Sequence, residues 1–348
     1  MKRYIWPVLL GVFGLTIAAT CRADGPYHFI KEIPVGGEGG WDYCSVDSAG
    51  QRLYVSHGTA VVVIDLAKDK VVGEITNAPG VHGVAIAHDL GLGVTSNGRE
   101  DKAGIVDLKT LQTISKVGTG QNPDGVLYEP GQKEVYLFNG RGQSATVVDV
   151  KAGKVVATIP LDGKPEFAQA DPAAGRVYDN IEDKDEVTVI DTKSHQVVTN
   201  WSIAPGKEAS GMVIDLKNHR LFIGCHNKLM VMMDSASGKV LASAPIGDGV
   251  DANEFDLGTQ FAFASCGDGT TTIAKEETPD KLTVVQTLKT QRGSRTMALD
   301  PTTHKIYLPA AQFESSTNQV VGTTRQRPRM VPGTFKILVY GMDKSSSP

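Results

Sequence analysis

The chain has 348 residues, 41% hydrophobic and 21% charged, with 35 Lys and Arg against 39 Asp and Glu and a formal net charge of −4. That composition can fill a large core, and its acidic balance argues against non-specific nucleic-acid binding, which rests on neutralising phosphates.

The N-terminus opens Met1-Lys2-Arg3, followed by an apolar stretch over 5–19. A basic start and an apolar run too short for a comfortable membrane span read as a secretory signal. The expected boundaries are a signal peptide over 1–23, cleaved after Ala23, and one domain over 24–348. Lipidation at Cys21 is the alternative, although Thr20 is a poor residue before an anchored cysteine. Cleavage removes Lys2, Arg3 and Arg22 and no acid, so the formal charge moves from −4 to −7. No later stretch is apolar enough to span a bilayer. The expectation is therefore a periplasmic or secreted protein with no membrane span once the signal is removed.

From residue 27 onward the chain is short β-branched and aromatic runs cut by Gly, Pro and Asn, the pattern of antiparallel strands. Residues 27–34, YHFIKEIP, resemble only the last strand of a repeat, as in KVVATIP at 154–160. Repeats then run over 41–75, 81–117, 122–159, 165–201, 209–244, 250–288 and 294–340. The unit at 120–159 holds four apolar runs, separated by Pro130-Gly131, Asn139-Gly140 and Lys151-Ala152-Gly153. Four strands in about forty residues match one blade of a β-propeller. An aspartate closes the third run at Asp65, Asp107, Asp149, Asp191 and Asp234, at gaps of 42, 42, 42 and 43 residues. There its carboxylate can accept from turn amides. The seventh repeat supplies three strands, so the 27–34 strand is expected to complete it. The expected fold is all-β: a seven-bladed β-propeller of four-stranded antiparallel blades, its ring closed by the N-terminal strand.

The runs RLYVSHGTAVVVIDL at 52–66 and EVYLFNGRGQSATVVDV at 134–150 resemble the YVTN-repeat, YncE-like family of seven-bladed propellers. The resemblance covers essentially all of 24–348. Repeat six departs from it with TTTIAKEE, and repeat seven with a long insertion. The family implies export and mostly binding functions; it implies no single reaction, because fold alone does not assign chemistry.

A site must come from positions that differ between blades. Aligned on the second strand, the residue at the start of each first strand is Asp42, His82, Asp124, Glu166, Ser210, Asp251 and Arg295. First strands line a propeller's channel, so these seven should ring one mouth. Four carboxylates, an imidazole and a guanidinium can bind a small molecule, a protein partner or a divalent cation. They can equally be a solvated rim in which Arg295 neutralises Asp251 and Asp42. Asp124 and Glu166, with no cation beside them in the ring, are the expected ligand side, within reach of His82. Those three are the candidate metal set.

A second ring, His57, Asn97, Asn139, Ile181, Cys225, Cys266 and Ala310, follows the second strands. Its asparagines suit ordinary Asn-Gly turns; His57 is expected above the mouth. Cys44, Cys225 and Cys266 are expected as inert thiols, with a Cys225–Cys266 bridge or a soft-metal site using His226 and Asp268 as alternatives. His88, His195, His219 and His304 are expected in solvated turns. The insertion over 314–334, with Arg325, Arg327 and Arg329, is expected to cover part of the mouth.

The sequence holds no Gly-x-Ser-x-Gly, Walker, HExxH or CxxCH motif. Two functions follow. One is an exported module binding a small molecule or protein partner at the mouth. The alternative is a metal-assisted lactonase or lyase with His82 or Glu166 as acid–base group.

Overall fold

The computed structural model describes residues 25–314 and 329–343. The expected signal peptide, its cleavage point and Cys21, together with Arg325 and Arg327 of the insertion, lie outside the described residues.

Seven four-stranded antiparallel sheets form the fold. Six are built from consecutive strands, such as Pro123–Glu129, Glu134–Asn139, Ser144–Asp149 and Lys154–Pro160. The seventh takes Ala298–Asp300, Lys305–Ala310 and Lys336–Gly341 from the C-terminal end and His28–Pro34 from the N-terminal end. Ring closure is thus as read from the repeat count. Among the described residues no helix is long and apolar enough to cross a membrane.

Second strands are buried on both faces, because each sheet is sandwiched between two neighbours. Arg52–His57 and Glu134–Asn139 each have one half-buried residue followed by five buried ones. That burial explains why they read as continuous apolar runs rather than alternating ones. The core is a set of clusters between sheets. In one, Leu53, Val55, Val62 and Ile64 of the first blade pack on Tyr307, Ile337 and Val339 of the seventh.

Outer strands carry a register shift against the third strand in every blade, at Val63/Ile64 in the first and Val147/Val148 in the third, for example. Such bulges twist an exposed edge away from pairing with another chain. The sixth blade departs as its sequence did: Thr270–Thr278 and Lys281–Lys289 lengthen into nine-residue strands.

The recurring aspartates do what their spacing implied. Asp65 Oδ1 accepts from the amides of Ala67 and Lys68 at 3.0 and 2.9 Å, and Asp191 Oδ1 from those of Lys193 and Ser194 at 3.2 and 2.8 Å. Asp234 accepts from Ala236 and Ser237 and pairs with Arg220. Burial raises the Asp234 pKa, but those bonds and Arg220 outweigh it and leave the carboxyl lower than usual. Its stabilisation is present above the unfolded-state pKa and is lost as pH falls through the folded one. Asp234→Ala should cost about 1 kcal/mol at neutral pH, the scale of charge-assisted turn bonds, and less at pH 3. Urea melts at the two pH values check this; an equal loss at both would contradict it.

The turn histidines carry carboxylate partners, while His88 and His219 keep side chains more than half exposed, as solvated turns imply. His88 Nδ1 lies 2.9 Å from Asp47, His304 Nδ1 2.6 Å from Asp256, and His195 Nε2 2.9 Å from Glu134. His88 and His304 each latch one blade to the preceding blade's buried first-strand aspartate, a contact that alignment within a repeat does not reveal.

Candidate functional site

First strands of blades two to five lose register with their second strands where the ring residue sits, between Val81/Val84, Pro123/Val126, Pro165/Ala168 and Ala209/Met212. Blade six does so between Val250/Ala252. A bulge frees a residue from the ladder and re-aims its side chain. Serines of the second strand take up the released backbone: Ser56 Oγ accepts from the Asp42 amide at 2.9 Å, and Ser96 Oγ from the Gly83 amide at 3.1 Å. His82, Asp124, Glu166, Ser210 and Asp251 are thereby turned toward one another.

The ring residues fall into three contact groups: Asp42–His82–Asp124, Ser210–Asp251–Arg295, and Glu166 with Lys164. His82 Nδ1 lies 2.7 Å from Asp42 Oδ2 and 3.2 Å from Asp124 Oδ1, so one imidazole bridges two carboxylates. Its side chain also bonds Asn122. Burial lowers the His82 pKa, but the bond to Asp42 and the charges of Asp124 and Asp42 outweigh it, so the imidazolium is favoured. Ser210 Oγ donates to Asp251 Oδ1 at 3.3 Å, and Arg295 Nε pairs with Asp251 Oδ2 at 2.9 Å. Lys164 Nζ contacts both Glu166 and Glu182.

Three expectations change. Arg295 serves Asp251, while Asp42 turns to His82, its neighbour on the other side. Glu166 does have a cation beside it, Lys164, which lies in the loop before the strand where strand alignment does not search. The metal set shifts as well. Ligand atoms of Asp42, His82 and Asp124 lie within 4.8 Å of one another, and Glu166 is not in that group.

Burial sets the protonation of the mouth. It raises the Asp124 carboxyl; His82 opposes this and Asp42 adds to it, leaving the pKa at about 6. Glu166 is raised by burial and by Asp124, against the pull of Lys164. Asp251 is raised by burial against the pull of Arg295.

Beneath the ring two aromatic side chains meet across the channel. Tyr43 follows Asp42 and Phe167 follows Glu166, on blades one and four. These are three steps apart, the widest separation in a ring of seven. Yet their ring centroids are 4.8 Å apart. Phe167 packs on the cluster of Ala252 and Met297 from blades six and seven as well as on that of blades four and five. At the matching positions stand Gly83, Gly125, Gly211, Ala252 and Thr296. A Cβ on Gly83 would come within 3.1 Å of the Tyr43 Cβ, and one on Gly125 within 2.4 Å of the Glu166 carbonyl oxygen. Gly83 leaves room for Tyr43, and Gly125 lets the neighbouring first strand approach closely. The mouth is a cup with charged walls and an aromatic floor.

Below the floor Glu254 is pushed up to about 8 by burial, against a bond from the Leu299 backbone. A carboxyl whose folded pKa is raised binds more protons folded than unfolded, so it removes stability as pH rises from about 4.5 toward 8. Glu254→Gln should stabilise the protein at pH 8 by on the order of 2–4 kcal/mol and leave it unchanged at pH 4. Chemical denaturation at both pH values tests this; a loss of stability at pH 8 would refute it.

His57 is not in the cup. It is buried in the interface of blades one and seven, its ring stacked on Phe335 with centroids 4.2 Å apart, and burial lowers its pKa. Asn97 and Asn139 are also buried and bond locally, to Glu100 and to Ser144 and Thr146. Cys225 and Cys266 are free and buried, with thiols pushed up to about 12 by burial; Cys44 is free and half-buried. The base of the insertion is a short ribbon, Phe313 bridging Met330 and the Glu314 amide donating to the Arg329 carbonyl at 2.8 Å. Phe313 lies 6.0 Å from Trp41, the residue before Asp42, which puts that base beside the mouth.

No protein-family model matches the chain, and no curated protein does. Among solved structures it is similar to a chain of hydrazine synthase from Kuenenia stuttgartiensis, with a TM-score of 0.69 and 18% identity over 85% of this chain and 96% of that one. At that identity the likeness is one of propeller fold.

Proposed function

We propose that this chain is an exported, YVTN-type propeller that binds a small ligand in the cup at its channel mouth. The observation that carries this reading is the ring itself: charged side chains from six blades gather at one channel mouth above the Tyr43–Phe167 pair. Buried carboxylates that raise one another's pKa are costly for a fold, and such groups concentrate where something is bound or transformed. Export rests on the basic start and apolar run of the N-terminus, and the YVTN assignment on the runs at 52–66 and 134–150.

Native mass spectrometry of the protein purified under mild conditions tests the reading. A stoichiometric small adduct should be retained, and should be lost from an Asp124→Asn/Glu166→Gln variant. A bare wild-type mass with no adduct, unchanged after incubation with host extract, would overturn it.

The second reading, a metal-assisted lactonase or lyase, is favoured by one observation: Asp42, His82 and Asp124 hold a carboxylate, imidazole and carboxylate set within 4.8 Å. Hard divalent cations take such oxygen and nitrogen donors. A cation there would displace the His82 proton, so its affinity should fall as pH drops and His82 is protonated. Equilibrium dialysis with Mn²⁺ at pH 5.5 and 8 decides it: one ion per chain at pH 8, lost at pH 5.5 and in His82→Ala, supports the metal reading.

A further inference from the structure

We propose that the cup selects an organic ammonium ion carrying an apolar group of about phenyl size. The inference rests on the binding reading above and adds the chemical class of ligand.

Charge comes first. Asp42, Asp124, Glu166 and Asp251 face the cup, against His82, Lys164 and Arg295. Each of those cations is already engaged: His82 by Asp42 and Asp124, Lys164 by Glu166 and Glu182, Arg295 by Asp251. With Glu182 on Lys164 there are five carboxyls to three cations, so even with Glu166 held protonated by burial the negative charges outnumber the positive and the cup's field favours a positive guest.

The floor narrows the class. Tyr43 and Phe167 meet across the channel with centroids 4.8 Å apart at an interplanar angle of 59°. Aromatic π-surface directly beneath a carboxylate ring is poor surroundings for a hydrated metal ion and good surroundings for an alkylammonium, which gains both carboxylate and cation–π attraction. The Tyr43 hydroxyl is an independent pointer. It makes no hydrogen bond among the described residues. Burial and the charges of Asp124, Glu166, Asp42 and Asp251, from four blades, together hold it protonated. The Tyr43 ring forms the floor with Phe167, one residue after Asp42, and its oxygen can accept from an ammonium N–H.

The rim supplies the apolar contact. Trp41 stands one residue before Asp42, and the 43% exposed Phe313 lies 6.0 Å from it. Phe313 also reaches over Gly293, two residues before Arg295. A guest with its ammonium between the carboxylates can lay its apolar end along this pair.

Isothermal titration calorimetry of the full chain at pH 7.5 tests the proposal with five probes: phenethylamine, its neutral counterpart phenethyl alcohol, benzyltrimethylammonium, phenylacetate and Mn²⁺. Phenethylamine should bind and phenethyl alcohol should not. Phe167→Leu, which keeps an apolar side chain and removes the π face, should weaken the amine about tenfold, a typical desolvated cation–π loss. Tyr43→Phe keeps the ring and removes the acceptor. It should weaken phenethylamine several-fold and leave benzyltrimethylammonium, which has no N–H, unchanged. Thermal melts of both variants separate lost binding from lost folding. Binding of Mn²⁺ without the amine, or equal binding of amine and alcohol, overturns the organic-ammonium class and leaves the cup as a site. Binding of phenylacetate without the amine overturns both. No binding of phenethylamine, or amine binding unchanged in Phe167→Leu, also refutes the inference.

Discussion

A chain lacking residues 27–34 should fail to form the ring, or should melt far below the full-length protein. The strand His28–Pro34 supplies the outer ladder of the seventh blade, pairing from His28 with Gly341 to Pro34 with Lys336. Tyr27 is fully buried and packs edge-on to Phe263 at 5.2 Å, and its hydroxyl donates to the His304 carbonyl at 2.7 Å. Its backbone N–H and C=O both bond the Gln286 side chain, at 2.9 and 2.8 Å, tying blade seven to blade six. Ile33 is buried in the cluster shared with blade one. Two buried side chains at about 1.5–3 kcal/mol each, with a six-residue ladder, add up to roughly the whole stability of an ordinary domain. The deletion also bares the edge of Lys336–Gly341, a template for pairing between chains. Circular dichroism melts of chains starting at residue 25 and at residue 35 make the comparison, with light scattering to detect aggregates. Melting points within a few degrees of each other would refute closure by this strand.

The blade count was legible because propeller blades repeat one environment. A second strand sandwiched between sheets must be apolar throughout, and the turn after the third strand needs an acceptor for its amides. Those two demands recur every 42 or 43 residues, so Asp65, Asp107, Asp149, Asp191 and Asp234 mark the repeat. The ring of first-strand positions was legible for the converse reason. One position in each repeat departs from the apolar pattern, and in blades two to six that is where the first strand bulges.

Pairing within the ring was not legible. Alignment orders the slots but does not say which way a long side chain leans, so Asp42 was equally placed to meet Arg295 or His82. Lys164 stayed hidden because it belongs to the loop before the strand and has no counterpart in the aligned column. His57 misled for a related reason. It ends a second strand in which every later residue is buried, so its ring packs on Phe335 instead of rising over the mouth. The floor did leave a trace: the column Tyr43, Gly83, Gly125, Phe167, Gly211, Ala252, Thr296 holds two aromatics among five small residues. Complementary volumes in one column signal a shared space, and here the space is the channel axis.

Replacing Asp124 with Asn and Glu166 with Gln should abolish ligand binding and leave folding intact. Both carboxyls are raised by burial, Asp124 to about 6, so their ionised forms are disfavoured by the fold. Each therefore binds protons more readily folded than unfolded, and wild-type stability should decline as pH rises from about 4 through about 6 and beyond. The double variant carries no such charges and should lose that part of the decline, melting at pH 8 at or above the wild-type temperature. Two groups oppose a larger gain. Lys164 keeps Glu182 as a partner, and His82 keeps Asp42, so neither cation is stranded. Binding responds differently, because a cationic guest needs the negative charge that the fold only tolerates. Loss of two carboxylates beside the Tyr43–Phe167 floor should weaken phenethylamine at least a hundredfold, taking about 1.5–3 kcal/mol for each charged partner removed. Calorimetry and pH-dependent melts on one preparation read both quantities. Unchanged affinity in the double variant would remove the site from the Asp124–Glu166 side of the cup. A collapse in stability at every pH would show that the ring holds the blades together instead of holding a ligand.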